Sequence, residues 1–225
     1  MANTNQNIRK SKILDIPCYG QKEEFMSAAA CVVMVMKYLN KNYKVKDDYY
    51  KIWQDTLGGS MWHGSRYGIA YALAKRGAKP EIITNAKDEG YEKKLAVYEG
   101  ENLDILHASF QDIQNRCNKM NIKENYGVIT INKIKKLLNE GRIPIIVVDA
   151  NVLDPTRESS PHWVVVKGYD KDMFYINDPY QNVTVSMEPE QFKKIIGYDN
   201  EHHMVAVQIR KNPNVGKIIS LPKSW

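Results

Sequence analysis

The chain has 225 residues, of which 43% are hydrophobic and 26% charged, with a formal net charge of +6 and a pI of about 9.0. That balance supports one packed domain and excludes global disorder. The lysines are scattered and form no basic block interleaved with aromatics, so nucleic-acid binding is not expected, whereas an acidic protein partner is compatible with the charge.

Residues 1–12 read as a flexible N-terminus and 13–225 as a single domain. "ILDIP" (13–17) is an extended entry, stopped by Pro17. Ser27 to Leu39 is a helix, apolar on all faces from Ala28 to Met36, which marks it as central and buried. Asp47 to Thr56 and Ser65 to Arg76 are further helices, the second stopped by Gly77. "KPEIIT" (79–84) is a short strand. Residues 85–127 are less clear, apart from an apolar stripe at helical spacing over 103–120. "TINKIKKLLNEG" (130–141) is a helix with Thr130 as cap and Gly141 as stop. "PIIVVDA" (144–150) is a buried strand, followed by the polar loop "NVLDPTRESSP". Strands follow at 162–170, 173–177, 183–187 and 203–210, interrupted by a short helix in "EPEQFKKII". Helices first and an antiparallel sheet second give an α+β fold.

Three cysteines (Cys18, Cys31 and Cys117) without a CxxC pair argue against a disulfide framework and against zinc. No apolar segment resembles a signal peptide or reaches the roughly 18 residues of a membrane span. The expectation is a cytoplasmic protein with no membrane partner, no metal and no cofactor. His202-His203 lacks a third ligand.

Three residues suggest chemistry when taken together. Ser27 opens the buried helix, His162 opens an apolar strand, and Asp178 ends the next strand in "NDP". Two antiparallel neighbours can set His162 beside Asp178, and a helix packed on that sheet can bring Ser27 to them. A nucleophile near a base held by an acid is the logic of a triad. A helix N-terminus favours negative charge on a nucleophile. Gln21 would aim its amide at the same spot and, with the backbone N–H of residue 27, form an oxyanion hole. His63, in "MWHGS", and Trp163 are candidates for the substrate rim. Asp149 and Glu158 are placed there by position, as acids that would hold an ammonium group.

The order of Gln21, residue 27 six positions on, "SAAACVVMVMKYLN", "HWVVVKGYD" and "INDP" resembles papain-like enzymes of the C39-like peptidase family. "INKIKKLLNEGRIPIIVVDA" is similar to the family segment before the histidine strand. The resemblance covers about residues 15–200. It implies a helical half carrying the nucleophile helix packed on an antiparallel sheet. It also implies a Cys–His–Asp triad at positions 27, 162 and 178. The family nucleophile is cysteine, and this chain has Ser27. Serine there has three readings: an introduced change that keeps the shape and removes the thiolate, a natural non-catalytic relative, or a native serine nucleophile. A Cys-type site lacks the tuning a hydroxyl needs, which counts against the last, and the first is adopted here.

A narrower likeness, in size, Lys/Asn-rich composition and motif layout, is to C39-like enzymes that form amide bonds in thioamide antibiotic biosynthesis. It implies acyl transfer from an acyl or peptidyl carrier protein to a small amine, such as a diamine. The alternatives are a C39-like peptidase that cleaves a leader or other peptide, and a binding module on the same fold.

Overall fold

The computed structural model describes residues 11–45, 48–58 and 62–209. Most of the expected flexible N-terminus, Asp47 and the last residue of the expected 203–210 strand lie outside these ranges.

A single mixed sheet has the path β3-β2-β8-β4-β5-β6-β7, with β1 pairing β5 off that path. The central strands are β4 (Arg142–Asp149), β5 (Pro161–Tyr169), β6 (Phe174–Asp178) and β8 (His203–Gln208). Their apolar runs are buried on both faces, as near-continuous Val/Ile segments require. β7 (Val183–Met187) and β2 (Pro80–Thr84) extend the sheet on either side. The sheet is antiparallel except at one edge, where β3 (Lys123–Tyr126) runs parallel to β2. β1 (Lys12–Ile13) begins one residue inside the segment expected to be flexible, because Lys12 pairs with Tyr169. Gly168 permits this approach: a Cβ there would lie 2.3 Å from the Lys12 carbonyl oxygen. The β5–β6 register shifts between Val166 and Gly168, at the same place.

The nucleophile-position helix, α1 (Ser27–Leu39), has its first ten residues buried. It packs against β5, α2 (Tyr49–Thr56) and α3 (Arg66–Lys75), so no face is left for polar side chains. Its interior holds Val32, Val33 and Val35, β-branched residues of modest helix propensity. Tertiary burial overrides that preference. Ser65 caps α3, its hydroxyl accepting the Gly68 N–H at 2.9 Å. The 85–127 region contains α4 (Tyr91–Glu99), α5 (Leu103–Lys119) and β3, of which only α5 was foreseen as an element. α6 (Ile131–Asn139) has Thr130 as its cap, as expected. The loop after β4 contains one unforeseen turn of helix, α7 (Ala150–Leu153), before β5. α8 (Pro189–Ile195) interrupts the strands where expected.

Candidate active site

Continuing the β5–β6 register past Val165 and Asn177 sets Asp178 opposite Val164, diagonal to His162. The two side chains meet there: His162 Nε2 and Asp178 Oδ1 are 2.7 Å apart. The same carboxylate oxygen accepts the N–H of Tyr180 at 2.9 Å, which fixes it from the turn side. His162 is 2% exposed and Asp178 1%. Burial lowers the imidazole pKa, and the positive charge of Arg157 adds to this against the opposing pull of Asp178. Burial alone would raise the Asp178 carboxyl, but the hydrogen bond and charge of His162, the Tyr180 N–H and Arg157 hold it below its usual value. At neutral pH the pair is therefore a neutral imidazole beside a carboxylate. With Nε2 turned to Asp178, Nδ1 is the nitrogen left for position 27.

Ser27 arrives from α1 at the same end of β5. Its hydroxyl oxygen accepts the backbone N–H of Trp163 at 3.3 Å. Among the described residues no hydrogen bond joins Ser27 to His162; the hydroxyl meets the strand one residue further on. One turn along α1, the buried Cys31 thiol donates to the Trp163 carbonyl at 3.2 Å. Position 27 and Cys31 thus bracket one residue of β5. The indole N–H of Trp163 donates to the Gly64 carbonyl at 2.9 Å, and a Cβ on Gly64 would lie 2.2 Å from that of Ala28. Trp163 and Gly64 therefore lock the start of α1 to the sheet. Burial pushes the Cys31 thiol well above its usual pKa and raises that of Cys18. The Cys18 thiol approaches the Asp178 carbonyl at 3.8 Å. Neither is tuned as a nucleophile.

Gln21 departs from expectation. Its backbone N–H donates to the Pro179 carbonyl at 2.9 Å, which places the residue beside the Asp178 turn. Its side-chain nitrogen, however, donates to the carbonyls of Glu23 at 2.9 Å and Glu24 at 2.7 Å. Its Oε1 is enclosed without a partner. The carbonyls of the tight turn before α1 capture the amide, so its protons do not face position 27. The N–H groups of the first turn of α1, which have no i−4 carbonyl within the helix, are the donors left for an oxyanion.

The rim residues separate. Trp163 lies in the site, as a brace. His63 is one residue from Gly64, but its imidazole pairs with Glu99 of α4 at 2.8 Å. Asp149 is occupied: one oxygen caps α7 through the Asn151 N–H at 2.9 Å and the other accepts the Ser159 hydroxyl at 2.8 Å. A carboxylate at a strand-to-helix junction caps the helix in preference to facing a ligand. Glu158 is exposed on the loop, where its backbone carbonyl accepts the Ser160 hydroxyl at 3.5 Å. Sequence reasoning missed Tyr180 and Arg157. The ring of Tyr180 stands edge-on to His162, with centroids 6.5 Å apart. The one available signal was an aromatic residue two positions after Asp178. Among the described residues no group of three or more His, Cys, Asp or Glu could hold a metal, and no helix is long and apolar enough to cross a membrane.

A buried helix whose first residue meets the strand that carries a His–Asp pair, on an antiparallel-dominated sheet, is a papain-like α+β arrangement. The Peptidase C39 like family matches residues 16–210, and the chain belongs to that family. Among solved structures, a putative C39-like peptidase from Bacillus anthracis is similar with a TM-score of 0.51 at 14% identity, covering 90% of this chain and 99% of that one. The peptidase domain of Streptococcus ComA, a bi-functional ABC transporter involved in a quorum sensing pathway, gives a TM-score of 0.45 at 16% identity, covering 85% and 98%. No curated protein matches the chain.

Proposed function

We propose that this fold carries acyl transfer through the side chain at position 27, forming an amide from a carrier-bound acyl thioester and a small amine. The observation that supports this best is the dryness of the site: Ser27 is 6% exposed, His162 2% and Asp178 1%. An acyl-enzyme formed there would meet an amine held beside it more often than bulk water.

With a thiol at position 27, neutral His162 takes its proton through Nδ1. The thiolate attacks the acyl carbonyl, and the N–H groups of the first turn of α1 stabilise the oxyanion. Collapse expels the carrier thiolate, which takes the proton back from His162. The amine then attacks the new thioester and gives its proton to His162; collapse breaks the C–S bond to residue 27, releases the amide, and returns the proton from His162 to the freed thiolate. Asp178 holds the ring and its tautomer throughout. The first exchange replaces one thioester by another, so only the second step runs clearly downhill.

Ser27 stops this cycle at the start. A hydroxyl has a far higher pKa than a thiol, and here it is hydrogen-bonded to Trp163 N–H and not to the imidazole. In this reading serine preserves the shape of the site and removes its nucleophile. The basic surface suits an acidic carrier protein. Family membership favours a second reading, cleavage of a peptide by the same acyl-enzyme with water as acceptor. Mass spectrometry separates the two. The Ser27→Cys protein is given a carrier thioester with and without a diamine. Amide as the main product supports the proposal, and free acid despite saturating amine supports the peptidase.

A further inference from the structure

We propose that Arg157 is a positioning residue for the His162–Asp178 pair, acting on it through the Tyr180 ring and through its own positive charge. This deepens the acyl-transfer reading, in which His162 must be neutral to take a proton from residue 27.

The geometry is a stack of three side chains. The Arg157 guanidinium carbon lies 3.9 Å from the centroid of the Tyr180 ring, and that ring stands edge-on to His162. The backbone of Tyr180 meanwhile binds the oxygen of Asp178 that receives His162. Arg157 is held in place from both ends of its loop. Its N–H donates to the Asp154 carbonyl at 3.0 Å, and its carbonyl accepts the Asn151 side chain at 2.6 Å. The Asp154 carboxylate in turn accepts Gln181 at 2.9 Å, tying the loop to the Asp178 turn.

Among the described residues the guanidinium makes no ion pair and its Nη1 is enclosed without a hydrogen-bond partner, although its charge is felt by the Asp154 and Asp178 carboxylates. Asp178 faces the His162 ring from β6 and Tyr180 from the following turn. Ser27 and Cys31 of α1 bind the neighbouring Trp163, and Cys18 approaches the Asp178 carbonyl. On β4 the partner of His162 is the apolar Val148, and the next residue, Asp149, is bound to Asn151 and Ser159. Arg157 is the one cation in this set. A nearby positive charge disfavours protonation of an imidazole, and a planar cation on an aromatic face holds that ring in place. A surface cation–π pair with no further role would leave His162 indifferent to residue 157.

The test follows the His162 ring by NMR through a pH titration of the intact protein, which needs no turnover and so stands apart from the fate of the acyl-transfer reading. Arg157→Met keeps the stem on the ring and removes the charge. It is expected to raise the His162 midpoint by about 0.5–1 pH unit, a roughly 3–10-fold gain in proton affinity. Arg157→Lys is expected to stay near the parent. Arg157→Gln repeats the measurement should the Met variant not fold. An unmoved midpoint in the charge-free variants, or an equal rise in Arg157→Lys, overturns the proposal. So does a rise in Tyr180→Leu alone with none on removing the charge.

Discussion

Ser27 and Cys31, one helical turn apart on α1, grip opposite ends of the same residue of β5: the Ser27 hydroxyl takes the Trp163 N–H and the Cys31 thiol gives to the Trp163 carbonyl. The start of the helix is thus referenced to the strand that carries His162, so the backbone sets where residue 27 meets that strand. Exchanging oxygen for sulfur at position 27 changes reactivity more than place.

Ser27→Cys is therefore expected to create a thiol that iodoacetamide labels faster than Cys18, Cys31 and Cys117 near pH 7. The helix N-terminus and the imidazole both favour its thiolate, whereas burial raises the pKa of the other three. Peptide mapping after brief labelling reads the order directly. Equal labelling would point to a binding module.

In the Ser27→Cys background, Asp178→Ala should lower kcat by roughly 10²–10⁴-fold, because the ring loses the partner that fixes its tautomer. The pH profile should change as well as the height. Loss of the carboxylate removes the one group that raises the imidazole pKa, so the acid limb should move to lower pH. A fall in rate with the limb unmoved would assign Asp178 a purely structural part.

Stability should fall with acid in a defined window. Burial pushes His203 down to about 4 from 6.5, against the support of Glu201. Between those values the unfolded chain binds a proton that the folded chain refuses, so stability is fully present above 6.5 and is lost as pH falls toward 4. A shift of that size is worth about 3 kcal/mol. His162, also lowered, acts with the same sign. Asp178 adds a further loss as pH drops through its depressed value, below 3.8. Thermal melts of the parent and His203→Asn between pH 7 and 4 check this: the variant should show the flatter slope.

Glycine at position 64 is expected to be obligatory. The Cβ of alanine would lie 2.2 Å from the Cβ of Ala28, an atom fixed to the backbone beside residue 27. One chain must move, and overpacking of this kind costs about 1–3 kcal/mol. The displacement also strains the Trp163 indole bond to the Gly64 carbonyl. Gly64→Ala should therefore lower the melting temperature and, in the Ser27→Cys background, the rate. A variant with unchanged melting and rate would show that the loop yields freely.

What the sequence disclosed depended on how local the cause was. The apolar run over 28–36 announced α1 because a helix buried all round needs no polar face. His162 and Asp178 could be paired in advance because strand register follows from alternation and a short turn. α4 could not be seen. Its "YEKKLAVYE" has no clean stripe, and its first residue is anchored by Glu201, a distant residue whose carboxylate accepts the Tyr91 N–H at 3.0 Å. β3 is the polar "KENY", made a strand only by pairing with β2. Asp149 and Gln21 were placed near the right elements but pointed wrongly, because side-chain direction was decided by a helix cap in one case and a turn in the other.

Gln21 gives the sharpest test of that last point. As an oxyanion donor, its loss in the Ser27→Cys background would cost about 10²–10³-fold in kcat, the usual effect of one missing hydrogen bond to the developing charge. The structure spends both amide protons on Glu23 and Glu24. To reach the site the side chain would have to abandon two hydrogen bonds, each worth about 1 kcal/mol net, and leave those carbonyls to water. The expected effect of Gln21→Ala is therefore less than about tenfold in kcat. It should come with a small loss of thermal stability, because the amide staples the turn that leads into α1. Steady-state kinetics and a melting curve on the same two proteins decide it. A drop of a hundredfold or more at unchanged stability would mean that the amide swings to the oxyanion during the reaction, and the staple would then be only its resting place.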